Sequence, residues 1–218
     1  MIELLNVDCM DYMRDLPDKC FDLAIVDPPY GIGEDGSKNK TRGYLAKAKD
    51  YKGYAGNDKE PPSNEYFEHL QRISKELIVF GANHFISKIP LDSSCWIVWD
   101  KNNSGDFADC ELALTTFKTA VRKFKFTWNG MIQENMKNKE ERMHPNQKPV
   151  ALYNWLYHNY AKPGQRVLDT HLGSGSNAIA AHYFGVDFVG CELDSYYYQA
   201  ACQRFKLASA QTTLFDNA

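Results

Sequence analysis

The chain has 218 residues, enough for one sizeable core, and its 44% hydrophobic and 24% charged residues exclude a disordered or fibrous chain. Lysine and arginine total 25 against 28 acids, a net charge of −3, so the whole chain is no general polyanion binder. No stretch approaches the ~18 apolar residues of a membrane span, and the opening MIELLNVDCM has neither the basic nor the long apolar part of a secretion signal.

Ile2 to Leu5 is an apolar run that predicts a strand ending at Asn6-Val7-Asp8. A helix follows with Met10, Met13 and Leu16 on one face, stopped by Pro17. Phe21 to Val26 is almost continuously apolar, the pattern of a buried parallel strand that delivers Asp27-Pro28-Pro29-Tyr30 at its carboxyl end. Gly31 to Lys59 has no periodicity, and a loop that long is usually functional or mobile; residues 32–62 are read as a mobile basic insertion. Ser63 caps a helix to about Lys75 with Tyr66, Phe67, Leu70 and Ile73 as its stripe. Strands are expected at Leu77 to Phe80, Cys95 to Trp99, Glu111 to Thr115 and Val121 to Thr127, and a polar loop from Asn129 to Lys148. A helix from Val150 to Tyr160, a strand at Arg166 to Asp169, a glycine turn, a helix from Asn177 to Phe184, a strand at Phe188 to Cys191 and a helix from Ser195 to about Leu207 complete the chain.

Strands alternating with helices predict an α/β fold: one doubly wound, mostly parallel sheet forming a single domain over 1–218. Insertions are placed at 32–62 and 115–142, and a tail at 208–218. The six cysteines are scattered, with no Cys-x-x-Cys pair and no zinc-finger spacing, so reduced thiols, a cytoplasmic location and no metal are expected.

Two constellations fall beyond carboxyl ends of strands, where an open α/β sheet holds its ligands. Val167 to Ser176 reads VLDTHLGSGS, and Glu192 ends the next strand. Glycines let a ligand approach the backbone, and the acid can accept both hydroxyl protons of a ribose, so this is a nucleoside-binding layout. A full G-x-G-x-x-G and a G-K-[ST] are both missing, which weakens dinucleotide and triphosphate readings. In Asp27-Pro28-Pro29-Tyr30 the prolines remove two N–H donors and leave a carboxylate and the Pro28 carbonyl, a set of acceptors suited to an amino group. Tyr30 adds a flat face for a base.

These segments resemble the S-adenosylmethionine-dependent amino-methyltransferases of DNA that carry a D-P-P-Y motif. The matching stretches are Asn6 to Gly31, the HPNQKPVAL run from His144, and the VLDTHLGSGSNAIAA run from Val167. Catalytic motif first and cofactor motif last is similar to the permuted β group, which implies a circularly permuted Rossmann-like methyltransferase fold. By the same resemblance Asp27, Pro28, Pro29 and Tyr30 are catalytic. Asp169, His171, Gly173, Gly175 and Ser176 would surround the methionine end of the cofactor, Glu192 its ribose, and Asp8 and Cys9 its adenine. His144, Gln147 and Lys148, with Pro145 and Pro149, match a segment near the cofactor. His171 stands where the family usually has Phe, and it also reads as a surface loop residue; Asn177 stands where Thr or Ser is common.

D-P-P-Y implies N6 of adenine by resemblance, with N4 of cytosine, or adenine in RNA, as alternatives; a nucleic-acid-binding protein without catalysis is the reading from another class. Double-stranded DNA is expected to approach two basic loops, through Lys38, Lys40, Arg42 and Lys47 and through Lys118, Arg122, Lys123 and Lys125. Phe124, Phe126 and Trp128 beside them read either as stacking faces or as the buried face of a strand. The 115–142 insertion is short for target recognition, which leaves a short site, relaxed specificity or a homodimer. Gln211 to Phe215, QTTLF, resembles a peptide by which bacterial proteins dock on the sliding clamp.

Overall fold

Alternate residues of the inner strands bury on opposite faces, and this builds two helical layers around one sheet. The protein is seen in a computed structural model described over residues 1–33, 58–89, 91–103, 108–129 and 132–212, with side chains to 210. Its strands are β1 (Ile2–Leu5), β2 (Phe21–Val26), β3 (Ser74–Phe80), β4 (Trp96–Asp100), β5 (Cys110–Thr115), β6 (Arg122–Lys125), a two-residue hairpin of β7 (Trp128–Asn129) and β8 (Ile132–Gln133), then β9 (Arg166–Asp169) and β10 (Asp187–Cys191). Among the described residues the main sheet runs β1-β10-β9-β2-β3-β5-β4-β6. Every neighbouring pair is parallel except those made by β5, which is antiparallel to both β3 and β4.

The helices are α1 (Cys9–Arg14), α2 (Asn64–Ile73), α3 (Val150–Tyr160), α4 (Ser176–Phe184) and α5 (Ser195–Thr212). Leu23 and Ile25 of β2 face the layer of α3, α4 and α5, where Leu152, Tyr157, Ala178 and Ala201 are fully buried. Ala24 and Val26 face the layer of α1 and α2, against Met13, Phe67, Leu70 and Ile73. Each large apolar side chain so buried contributes roughly 1.5–3 kcal/mol. The inner strands are thus held on both faces.

Several boundaries differ from expectation for local reasons. Ser74 adopts extended backbone while its N–H still bonds the Leu70 carbonyl, so α2 passes directly into β3 with no loop. Beyond Leu207 the chain has no glycine or proline to stop it, and α5 continues to Thr212. The stretch 115–142 supplies the edge strand and the small hairpin and forms no separate body among its described residues. Phe124 of β6 and Phe126 just beyond it pack on the core and Trp128 is buried at the start of β7, so the alternation is an inward face and not a row of exposed stacking rings, though it spans more than one strand. The reversed direction of β5 was not legible in its apolar pattern.

The connection from β9 through α4 leads to β10 on one side, and that from β2 through α2 leads to β3 on the other. Strand order therefore reverses between β9 and β2, whose carboxyl ends lie side by side. A crevice at such a point is where sheets of this kind bind ligands.

Candidate active site

Asp27 to Tyr30 leaves the end of β2 as a turn held from below by a carboxylate. Oδ1 of Asp58, a residue 2% exposed, accepts the backbone N–H groups of Tyr30 at 2.6 Å and Gly31 at 2.9 Å. The Tyr30 ring lies on the turn after β3. Gly81 there has φ +67°, and an added Cβ would stand 2.1 Å from Tyr30 Cε1. The exposed His84 ring stacks on Tyr30 with centroids 5.1 Å apart and planes at 14°. One face of the expected base platform is therefore covered by the protein itself.

The Tyr30 hydroxyl donates to Asp27 Oδ1 at 2.7 Å. Lys148 Nζ meets Asp27 Oδ2 at 2.5 Å, Glu111 Oε2 at 3.0 Å and the Tyr30 hydroxyl at 3.2 Å. Lys101 pairs with the other Glu111 oxygen. Burial alone would push Glu111 up, but the ammonium groups of Lys148 and Lys101 hold it at about 2. Burial works against the Lys148 charge too, yet Asp27 and Glu111 raise its pKa above the ordinary lysine value. Asp27 is pushed up by burial against the pull of Lys148.

The glycine turn follows β9. Burial pushes Asp169 up to about 7, although Asn177 Nδ2 donates to it at 2.9 Å and the His171 N–H at 3.0 Å. Asn177, read only as a departure from a Thr or Ser, also donates to the Ile25 carbonyl at 3.3 Å and accepts from the Tyr157 hydroxyl at 2.7 Å. It joins β9, β2 and α3. Gly175 opens α4 at φ +74°, and a Cβ there would lie 3.3 Å from Ala201 Cβ, so α5 packs close behind the turn. Arg204 of α5 bonds Ser174 O at 2.9 Å, Ser176 Oγ at 2.8 Å and Glu140 at 2.8 Å. Glu192 accepts from the N–H groups of Gly173 at 2.8 Å and Asp194 at 3.0 Å.

The other predicted residues divide by position. Asp8 caps α1 by accepting from the Met10 N–H at 2.8 Å. Burial pushes the adjacent Cys9 thiol up to about 12. His144 lies edge-on to Tyr197 at 4.5 Å, its Nδ1 about 4 Å from where a Gly173 Cβ would be, and burial with the Lys148 charge lowers its pKa to about 4. His171 is half-buried against Tyr66, not a surface residue; its Nδ1 shares a hydrogen bond with Thr170 at 2.9 Å, and burial lowers its pKa to about 4. Gln147 is turned into its own loop, accepting from the Met143 N–H and donating to the Glu141 carbonyl. Lys148 stands with Asp27, because the loop before α3 crosses the carboxyl end of β2.

Of the expected phosphate contacts, Lys38, Lys40, Arg42 and Lys47 lie outside the described residues. Lys118, Arg122, Lys123 and Lys125 are exposed. Register places Arg122 in the row of Ile97, Ala113 and Phe80, four strands from the Asp27 row, roughly 19 Å at the usual strand spacing. Lys118 lies farther off, on the β5–β6 connection at the opposite edge of the sheet from Asp27, because β5 runs away from the site. The Gln211 to Phe215 segment passes beyond the described residues after Thr212. No helix among the described residues is long and apolar enough to cross a membrane.

Sequence reasoning passed over Asp58, Gly81, His84, Lys101 and Glu111. Glu111 carried one signal, an acid opening an otherwise apolar strand. Asp58 sat unmarked at the end of a long aperiodic stretch.

A family model described as DNA methylase matches residues 98–203. The chain is similar to the Type II methyltransferase M.HinfI of Haemophilus influenzae, at 24% identity over an alignment of 251 residues that covers 93% of this chain and 68% of the relative. The solved M1.HpyAVI–SAM complex is 22% identical with a TM-score of 0.59, covering 94% of this chain and 100% of that one. The PvuII DNA methyltransferase (cytosine-N4-specific) is 11% identical with a TM-score of 0.62, covering 94% and 86%. The expected Rossmann-like methyltransferase fold is the one the chain adopts.

Proposed function

We propose that this chain, a relative of the N6/N4 DNA methylases, transfers a methyl group from S-adenosylmethionine to the exocyclic N6 amino group of an adenine in DNA. The carrying observation is that the acceptor turn Asp27 to Tyr30 and the glycine turn Leu172 to Ser176 open side by side at the strand-order reversal between β2 and β9.

The residues at the glycine turn fit the cofactor. The cradle at Gly173 is roomy: among the described residues, and apart from its two chain neighbours, the nearest atom to the place of a Cβ is the His171 carbonyl at 3.9 Å. Asp169 is a buried carboxylate suited to the methionine ammonium, Glu192 follows β10 where a ribose would need its acceptor, and Asp8 and Cys9 open α1 after the neighbouring β1. His171, Gly175, Ser176 and His144 would complete the surround. The bound cofactor supplies an electrophilic sulfonium methyl.

The substrate nitrogen is a poor nucleophile because its lone pair is delocalised into the ring. Asp27 and the Pro28 carbonyl accept its N–H groups, which favours rehybridisation and stabilises positive charge as it develops. Pro28 and Pro29 keep the turn stiff, so the acceptors are oriented before the substrate arrives. Alignment of two bound reactants supplies a further roughly 7–11 kcal/mol. A base within a duplex is out of reach, so it must be flipped out at a cost of a few kcal/mol. Among Lys118, Arg122, Lys123 and Lys125, it is Lys125 that reaches the carboxyl edge, beside Asp100, and would meet the backbone.

The acceptor set would serve any exocyclic amine, and a cytosine-N4-specific enzyme shares the fold, so N4 of cytosine is the second reading. Incubation with labelled S-adenosylmethionine and unmethylated DNA, digestion and mass spectrometry of nucleosides tests both. Label in N6-methyldeoxyadenosine is the expected result. Label in N4-methyldeoxycytidine or a ribonucleoside would replace the substrate, and no label from folded, cofactor-bound protein would sink the activity on the nucleic acids tried.

A further inference from the structure

Four charged side chains from separate parts of the chain converge at the carboxyl end of β2. Asp27 follows β2, Lys101 follows β4, Glu111 is the second residue of antiparallel β5, and Lys148 precedes α3. Lys148 spends its three N–H donors on Asp27 Oδ2, Glu111 Oε2 and the Tyr30 hydroxyl. Its side chain is only 4% exposed, so water does not compete for it. An ammonium buried this way without partners would be strongly destabilising, whereas between two carboxylates it becomes a fixed counter-charge. Since β5 runs against both of its neighbours in the main sheet, Glu111 enters the site from near the start of a strand.

From this geometry we propose that Lys148, anchored by Glu111, is a positioning residue that fixes the orientation of the Asp27 carboxylate and holds it ionised for the substrate amino group. The proposal rests on the methyl-transfer reading above. Lys148 acts through Asp27 and needs no contact with the cofactor. Glu111 has two effects on Asp27: through Lys148 it steadies the carboxylate, and through its own charge it opposes ionisation.

The groups facing Asp27 fix the sign of each change. They are Tyr30 on its own turn, Lys148 before α3, Glu111 on β5 with Lys101 behind it, Tyr153 on α3 and Asp169 on β9. Burial keeps Tyr30 and Tyr153 neutral, so Lys148 is the cation in contact with Asp27. Removing Lys148 leaves two carboxylates to one more distant ammonium, which raises the pKa of Asp27. Removing the Glu111 charge leaves two ammonium groups to one carboxylate, which lowers it.

The test is a carbon-13 titration of the Asp27 carboxyl by NMR in the full chain, beside the pH profile of kcat with DNA. Lys148→Met is expected to raise the Asp27 midpoint by roughly 1–3 pH units, the usual effect of losing a close opposite charge. The acid limb of kcat should rise with it, and kcat should fall about 100-fold, the scale of a misplaced reacting group, with KM for the cofactor little changed. Lys148→Arg should restore part of the rate. Glu111→Gln should move the midpoint down, and the Glu111→Gln/Lys148→Met double variant should fall between; Glu111→Gln alone reads the sign if Lys148→Met does not fold. Midpoints that shift in the same direction in the two single variants, or not at all, overturn the proposal. The titration needs no turnover. Opposite shifts in a protein that methylates nothing would uphold the electrostatic arrangement and sink the methyl-transfer reading.

Discussion

The Tyr30 hydroxyl reaches across its own turn to donate to Asp27 Oδ1 at 2.7 Å. The aromatic and the acid of the D-P-P-Y turn are thus one hydrogen-bonded unit, and the two prolines between them set the span. The ring that would support a base also orients the group that would accept its protons.

Tyr30→Phe keeps the ring on His84 and removes this bond. A hydrogen bond to a charged group contributes about 1.5–3 kcal/mol, so turnover is expected to fall roughly 10-fold to 100-fold. Cofactor affinity, read by calorimetric titration, should be unchanged, since Tyr30 lies on the β2 side of the crevice.

Gly81→Ala places a methyl group where the Tyr30 ring already lies, on a backbone at φ +67°. The left-handed backbone costs about 1–2 kcal/mol and overpacking about 1–3 kcal/mol. Urea denaturation should show a loss of roughly 2–5 kcal/mol. Methyl transfer should fall further than stability accounts for, because the side chain displaced is Tyr30 itself.

Asn177→Leu removes a buried amide that bonds Asp169, the Ile25 carbonyl and the Tyr157 hydroxyl. Each partner left buried and unsatisfied costs about 1–3 kcal/mol. Denaturant midpoints should drop accordingly, and Asn177→Ser, which keeps a polar group and loses reach, should recover only part.

Asp169 is held at about 7 by burial, against an ordinary 3.8. Because its pKa is raised in the folded state, the unfolded chain gives up this proton first as pH rises. This contribution to stability is therefore present below about 4, is lost between about 4 and 7, and stays lost above that, on the order of 4 kcal/mol in all. Asp169→Asn should flatten the fall in denaturant stability between pH 4 and 8. If Asp169 receives the methionine ammonium, cofactor affinity should rise through pH 7 as the carboxylate forms. An affinity flat across that range would remove Asp169 from the role.

Much of this protein is local and could be read from one stretch of chain at a time. The apolar run Phe21 to Val26 is a strand because it is buried on both faces, Ser63 caps α2 because its hydroxyl reaches the Tyr66 N–H, and α3 spans the residues its pattern predicts. The acceptor turn and the glycine turn were visible for the same reason, since proline and glycine dictate backbone conformation within a few residues.

Other features depend on which strands become neighbours, and no nearby residue encodes that. A short apolar strand such as β5 buries equally well in either direction, so its antiparallel course, and with it the arrival of Glu111, came from the path of the chain. Lys148 lies 121 positions from Asp27 and in a segment whose motif pointed toward the cofactor; only the crossing of that loop over β2 made the two an ion pair. Asp58 became the support of the Tyr30 turn in the same way. A charge pairs with whatever the fold brings within about 4 Å, so the helices and strands were legible in the sequence, while the electrostatics of the site arose when the strands assembled into the sheet.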